Sequence, residues 1–264
     1  MTAPRSRSAV LGGDASKALT IASLPMLIAL WELLVLVLQP RESVLPRPSA
    51  IAALIVDEFP VLVEHTWVTT KEAVVGLALA VVVGVGLSAA MTMSKTVRAL
   101  LMPTMVAFVS VPKIAFAPLF IMWLGLGYQS KMITAFLVCV FPIIVNTTGG
   151  MRQVEPDMLN LVRLMRGRRL HEFLKIRLPS ALPALFDGLR IAVPLAVIGA
   201  LVAEFIASSQ GLGYVIISAH VHYNATLAFA AIFMIVMLSM ALYAIVILAE
   251  KRLLPWRPSE RMVG

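Results

Sequence analysis

Few residues in this chain could carry out bond chemistry, and their spacing does not suit it. Four histidines stand at positions 65, 171, 220 and 222, and none shows zinc-protease spacing. His220 and His222 flank Val221 and could share a metal ion; the alternative is two solvated loop residues. No glycine is followed by lysine, so there is no Walker A loop to cradle ATP phosphates. A Gly-x-Ser-x-Gly nucleophile elbow is also missing. The single cysteine, Cys139, lies in an apolar run and excludes an internal disulfide. The more informative titratable residues are those set within apolar stretches, namely Glu32, Glu72, Lys113, Arg190 and Glu204. A charge in hydrocarbon is costly, so each marks a pathway, an ion site or an internal pair. Glu72 and Arg190 fall near expected helix ends, where a side chain reaches water. Glu32 lies deeper. Lys113 lies between Pro112 and Pro118, and Glu204 shortly precedes Gly211-Leu212-Gly213. Pro112, Lys113, Pro118 and Glu204 are the pathway candidates, with internal pairing as the alternative for the two charges.

These residues need elements to position them, and composition says which. Of 264 residues, 60% are hydrophobic and 14% charged, against about 45–50% and about 25% in soluble domains. A spanning helix needs roughly 20 mostly apolar residues. Six stretches qualify: 19–38, 70–93, 101–123, 132–148, 188–206 and 226–249. The first is too long for a signal-peptide core and has no small-residue cleavage site after it, so it reads as a retained span. The third is broken by Pro103, Pro112 and Pro118, which remove backbone hydrogen bonds and kink a span. The expectation is an all-α membrane protein with six transmembrane helices. It forms one domain over 19–250, with tails at 1–18 and 251–264. Between the first two spans, Leu45-Pro46-Arg47-Pro48-Ser49 and the apolar-periodic run to Phe59 read as a turn feeding a short external amphipathic helix.

The net charge of +8 admits two readings, nucleic-acid binding or topology-setting loops. Position decides between them. The N-terminal tail, the turn with Lys95 and Arg98, the segment 149–187 and the C-terminal tail are basic. The stretch 39–69 is net acidic, and 207–225 has neither Lys nor Arg. Basic and non-basic loops therefore alternate, which places both termini in the cytoplasm and excludes a nucleic-acid partner. In the second span Gly76, Ala80, Gly84 and Ser88 recur every four residues, a line that lets helices approach closely. That line could serve a subunit interface or packing within one subunit.

Loops in compact bundles are short, so the long basic segment 149–187 needs a purpose. From Met158 to Met165, apolar residues interleave with Asn160 and Arg163 as in a short amphipathic helix. Gly167 can end it, Arg166, Arg168 and Arg169 flank that glycine, and Ile176-Arg177-Leu178-Pro179 leads on to the fifth span. Such a helix can lie on anionic lipid or dock in a partner's groove.

This segment resembles the EAA loop of bacterial ABC importer permeases: Glu-Ala-Ala, three residues, Gly, nine residues, then Ile-x-Leu-Pro. Ile176, Leu178 and Pro179 match its end. Counting back puts the Glu-Ala-Ala at Asn160, Leu161 and Val162 and the glycine at Arg166, with Gly167 one place late. The first half is therefore degenerate. Further stretches are similar to the nitrate/sulfonate/taurine permeases. These are Leu45-Pro46-x-Pro48-Ser49, Val111 to Leu119, Trp123-Leu124-Gly125-Leu126-Gly127 with Lys131, Phe141-Pro142-Ile143 with Asn146-Thr147, and Ala203-Glu204 with Gly211-Leu212-Gly213-Tyr214.

The resemblance implies a type I importer permease fold in the bacterial inner membrane; its motifs do not identify the solute, and it is Lys113 near the kinked helix that would suit a small anion such as sulfonate, taurine or nitrate. The resemblance also implies cytoplasmic ATPase subunits, an extracytoplasmic solute-binding protein and a second permease subunit, in a homodimer, as partners. Asn160, Leu161, Val162, Arg163, Arg166, Gly167, Arg168, Ile176, Leu178 and Pro179 would then couple to the ATPase. The chain itself would bind no cofactor, ATP and magnesium belonging to the partner. Two other classes compete: an ion-coupled secondary transporter using Glu32, Lys113 and Glu204, and a membrane-embedded enzyme, for which no nucleophile–base or metal constellation exists.

Overall fold

The structure, a computed structural model, describes residues 23, 25–164 and 169–256. Helices dominate it. α1 (Pro25–Leu38) leads through a turn to α2 (Pro48–Asp57). Pro48 occupies the first turn of α2, where its missing N–H leaves no hydrogen bond unmade. Glu32 of α1 accepts from the Ser49 N–H at 3.0 Å and from the Ser49 hydroxyl at 2.8 Å, so it caps α2 from another helix. The amphipathic helix expected before Phe59 is therefore present, and Glu32 holds its start.

α3 (Phe59–Met93) runs for 35 residues, about 52 Å at 1.5 Å per residue, well beyond the ~30 Å hydrocarbon core. The expected second span, 70–93, is its inner part, and much of the expected loop 39–69 is helix. Glu72, expected near a helix end with access to water, lies well inside α3 and is 1% exposed. Ser94 accepts from the Val97 N–H and starts α4 (Lys95–Ser110). The third expected span then breaks at Val111-Pro112. A 3-10 turn follows at Lys113–Phe116, and α5 (Ala117–Leu124) carries Pro118 in its first turn. Pro103 sits inside α4 without ending it. α6 (Tyr128–Arg152) contains Pro142, whose carbonyl accepts from Asn146 Nδ2 at 2.8 Å.

Beyond α6 lie α7 (Pro156–Leu164), the short α8 (Arg169–Glu172) and a π-helical turn at Phe173–Arg177. α9 (Leu178–Ala207) begins ten residues before the expected fifth span and passes Pro183 and Pro194 unbroken. Arg190 is thus inside a helix rather than at its end. It pairs with Glu250 of α11 at 2.6 Å and approaches Asp187 at 3.8 Å. The expected loop 207–225 contains α10 (Leu212–Val221), and α11 (Ala225–Leu253) completes the bundle. Among the described residues four helices are long and apolar enough to cross a membrane: α3, α6, α9 with the turn before it, and α11. α1, whose expected span starts outside the described residues, and the broken α4–α5 pair supply the other two.

The core is α3, α6 and α9, drawn together by small residues. A Cβ on Gly76 would stand 2.7 Å from Ala135 Cβ, and one on Gly84 would stand 2.8 Å from Ile143 Cγ2. Further along, Ser88 donates to the Ile144 carbonyl at 3.1 Å. Contacts advancing together on both helices mean that α3 and α6 run parallel. Gly150 meets Ala184, Gly188 meets the Pro142 carbonyl and Gly199 meets Ala135, so α9 runs antiparallel to α6. The line Gly76, Ala80, Gly84, Ser88 therefore packs within one subunit. Close approach of backbones is what such residues provide where lipid offers no hydrophobic drive between helices.

Candidate functional site

The parallel register of α3 and α6 gives the bundle two chemically different ends. At one end, where α6 finishes, Arg177 donates to the Met151 carbonyl at 3.2 Å and to Glu172 at 2.8 Å. Glu172 and Arg177 also form an ion pair of 2.7 Å. The turn leading into α9 is thereby locked onto α6. Ile176, Leu178 and Pro179 are half-buried at this junction. α7 differs in making little contact with the other helices, with Met158 55% and Leu164 81% exposed. Asn160 is exposed and Val162 half-buried on the same helix, which also contains Leu161 and Arg163. Arg166, Gly167 and Arg168 lie outside the described residues.

Midway along the bundle is an open-sided cavity of about 490 Å³. The break between α4 and α5 forms one wall through Pro112 and Lys113, and Phe141 and Asn146 of α6 with Ile191 and Leu195 of α9 form the others. Lys113 Nζ stands 5.2 Å from the centre of the Phe141 ring, a cation–π distance. Lys113 makes no salt bridge to a carboxylate among the described residues, and the rest of the lining is mostly apolar. Pro118 starts α5 outside this cavity, and Glu204 is elsewhere.

At the far end, where α3 and α6 begin and α9 finishes, a polar cluster is buried in the core. Lys131 Nζ lies 3.2 Å from Glu72 Oε1 and donates to Ser208 Oγ at 2.6 Å. The two charged side chains are 8% and 1% exposed. Glu204, 1% exposed, accepts from the Thr69 hydroxyl at 2.7 Å and from the Gly213 N–H at 2.6 Å. Thr69 Oγ1 in turn accepts from the Leu212 N–H at 2.9 Å, and His65 Nδ1 accepts from the Gly211 N–H at 3.1 Å. A carboxylate at the start of a helix meets unpaired N–H groups and the positive end of the helix dipole. His220 and His222 are exposed, His222 Nδ1 lying 2.7 Å from the Ser218 carbonyl. Among the described residues no group of three potential ligands could hold a metal ion.

The hydroxyls that meet a charged group here, Thr69 on Glu204 and Ser208 on Lys131, also bond backbone groups at the start of α10 and in the turn before it. Along the bundle the three places form a series: a locked helix junction at one end, a cavity in the middle and a buried polar hub at the other end. Residues 82–256 match the family described as "Binding-protein-dependent transport system inner membrane component". The chain belongs to that family. It is a transport permease subunit, and a separate subunit hydrolyses ATP. It is 35% identical over 237 residues to a formylaminopyrimidine transport permease protein of Halalkalibacterium halodurans, covering 89% of this chain and 94% of that one. It is 30% identical over 237 residues to a putative aliphatic sulfonates transport permease protein of Bacillus subtilis, covering 89% and 86%. The inward-facing MetNI methionine ABC transporter aligns with a TM-score of 0.63 at 18% identity, over 75% of this chain and 98% of that one. The fold of the permease is thus that of ABC importer permeases.

Two residues of the permease's buried hub, Thr69 and Ser208, have no sequence signal, because both fall just outside the expected spans. Lys131 was visible only as part of the resemblance. It sits one residue before the expected fourth span, and extending that span by one turn would have placed it among the intramembrane charges.

Proposed function

We propose that this permease carries a small anionic solute, of the sulfonate, taurine or nitrate type, handed over by an extracytoplasmic binding protein. The permease pairs with a second copy of itself, and cytoplasmic ATPases drive it through the segment 149–187. The observation that carries the solute class is Lys113. It is a cation without a carboxylate partner among the described residues, on a mid-bundle cavity whose other walls are mostly apolar. Support for the coupling comes from α7, which has Met158 and Leu164 exposed, and from the Arg177–Glu172 lock, which holds α8 and the start of α9 to the end of α6. Basic residues concentrate at that end, so by the positive-inside rule it faces the cytoplasm and the Glu204 hub faces outward. Closure of the ATPases would tilt α9 as a rigid body and switch the cavity's access.

A second reading, a heteroaromatic solute, is favoured by the Phe141 ring beside Lys113 and by the apolar lining. The ion-coupled secondary transporter is not favoured. Glu32 and Glu204, two of its three proposed sites, are both engaged with backbone N–H groups.

In proteoliposomes holding the assembled transporter, Lys113→Ala is expected to lower anion uptake about tenfold, the weight of one charge-assisted contact. Assembly with the ATPase should be unchanged. If uptake kinetics stay at the wild-type level for sulfonates and nitrate alike, Lys113 is not on the path. Changing Arg166, Arg168 and Arg169 together to Glu is expected to abolish co-purification of the ATPase while leaving membrane insertion intact. A complex that still co-purifies would move the docking surface away from this segment.

A further inference from the structure

Resting on the import reading, we propose that Glu204, with Thr69 and His65, is a positioning residue that rivets α10 to the α3–α9 core. The outward end of the permease then turns as one body with the coupling end. Helix N-termini leave their first N–H groups unpaired, and most helices satisfy them with a local cap. α10 has no such local side-chain cap. Instead three successive N–H groups at its start are taken by side chains from other helices: Gly211 by His65, Leu212 by Thr69 and Gly213 by Glu204. His65 and Thr69 belong to α3, and Glu204 belongs to the last turn of α9. The Thr69 hydroxyl joins the two sides, since it accepts from Leu212 and donates to Glu204.

The fit around the carboxylate leaves no slack. A Cβ on Gly211 would overlap Glu204 Oε1, and one on Gly213 would stand 2.7 Å from Glu204 Cβ. Gly211 also has φ +100, a conformation that favours glycine. Between them Leu212 is fully buried. Ser208, at the start of the same connection, is held by Lys131, which is paired with Glu72, so α6 joins the attachment. From this hub α9 continues without a break to Leu178, where Arg177 ties the chain to the end of α6. A displacement applied at the Arg177 end of α9 is therefore delivered to α10 through one helix and a buried polar joint. The outer side of α10 stays free, with Val221 64% exposed.

The test uses the complete transporter with its ATPase and binding protein in lipid. Cys139 is the only cysteine, so Cys139→Ala gives a clean background for Trp67→Cys on α3 and Val221→Cys on α10. Both positions are exposed. Spin labels, diluted with unlabelled permease, report the α3–α10 distance in nucleotide-free and vanadate-trapped states. One narrow distance common to both states is expected in this background. With Glu204→Ala the distribution should broaden, and solute moved per ATP should fall about tenfold, within the usual range of coupling between sites. Glu204→Gln keeps an acceptor for Gly213 and a donor towards Thr69, and should restore both readouts. Thr69→Val, which leaves the carboxylate in place, supplies the same comparison if Glu204→Ala does not assemble. A distance that shifts on trapping without the hub mutations would overturn the proposal, as would a narrow distance and full coupling in both Glu204→Ala and Thr69→Val. Hydrolysis that loaded binding protein fails to stimulate in the wild-type complex would instead count against the import reading. The distance result stands apart from it.

Discussion

Lys131→Met alone is expected to destabilise the permease by roughly 3–5 kcal/mol, the usual cost of removing one member of a buried ion pair. Glu72 is 1% exposed and its Oε1 lies 3.2 Å from the lysine. Removing the ammonium leaves that buried carboxylate beside Glu204 without its cation. Ser208 loses its donor at the same time. The double variant Lys131→Met with Glu72→Gln is expected to recover most of the loss, because replacing a buried pair together is often close to neutral. The check is thermal unfolding of the purified permease in one detergent across the two single variants and the double. Equal losses in the single and double variants would mean that the pair contributes no more than its separate hydrogen bonds.

Gly211→Ala should rank close behind, at roughly 3 kcal/mol or more, since backbone strain and overpacking add. The new methyl would sit at φ +100 and inside contact distance of the Glu204 carboxylate, which cannot retreat without releasing Thr69 and Gly213. Gly86→Ala is the matched control. It lies within α3 with nothing within 4 Å of the added carbon, so helix propensity alone predicts a gain of up to about 1 kcal/mol. If the two variants melt together, the glycine at 211 is not required by the carboxylate. Because the strain is local to the hub, Gly211→Ala should also cost transport more than it costs binding of the ATPase at its proposed site on the segment 149–187.

Several elements follow from the sequence by rules of short range. The apolar stretches set the helices, and Pro112 with Pro118 set the break in the third span. The helix before Phe59 is legible because Pro48 and an apolar period announce it. Boundaries are not, for a physical reason. A helix continues past the apolar core wherever its backbone stays helical, and polar residues such as His65, Thr66 and Thr69 do not stop α3. Hydropathy marks where lipid begins, which is a different place from where the helix begins. That displacement put Glu72 and Arg190 at expected helix ends when both are interior.

Which charges share a site was beyond the sequence. Glu72, Lys131 and Glu204 come from three helices far apart in the chain, and only the close glycine contacts of α3, α6 and α9 decide that they meet. The same packing settled the small-residue line of α3 as a contact within one subunit. Glu32 and Glu204 read alike as intramembrane acids, yet each caps the start of another helix, α2 and α10 respectively. Composition and period therefore determined that this chain spans a membrane and where it kinks, because those depend on residues close together in the chain. The tertiary structure alone decided which buried charges are joints and which one, Lys113, is left at a cavity, because a charge in a low-dielectric core is defined by the groups that reach it.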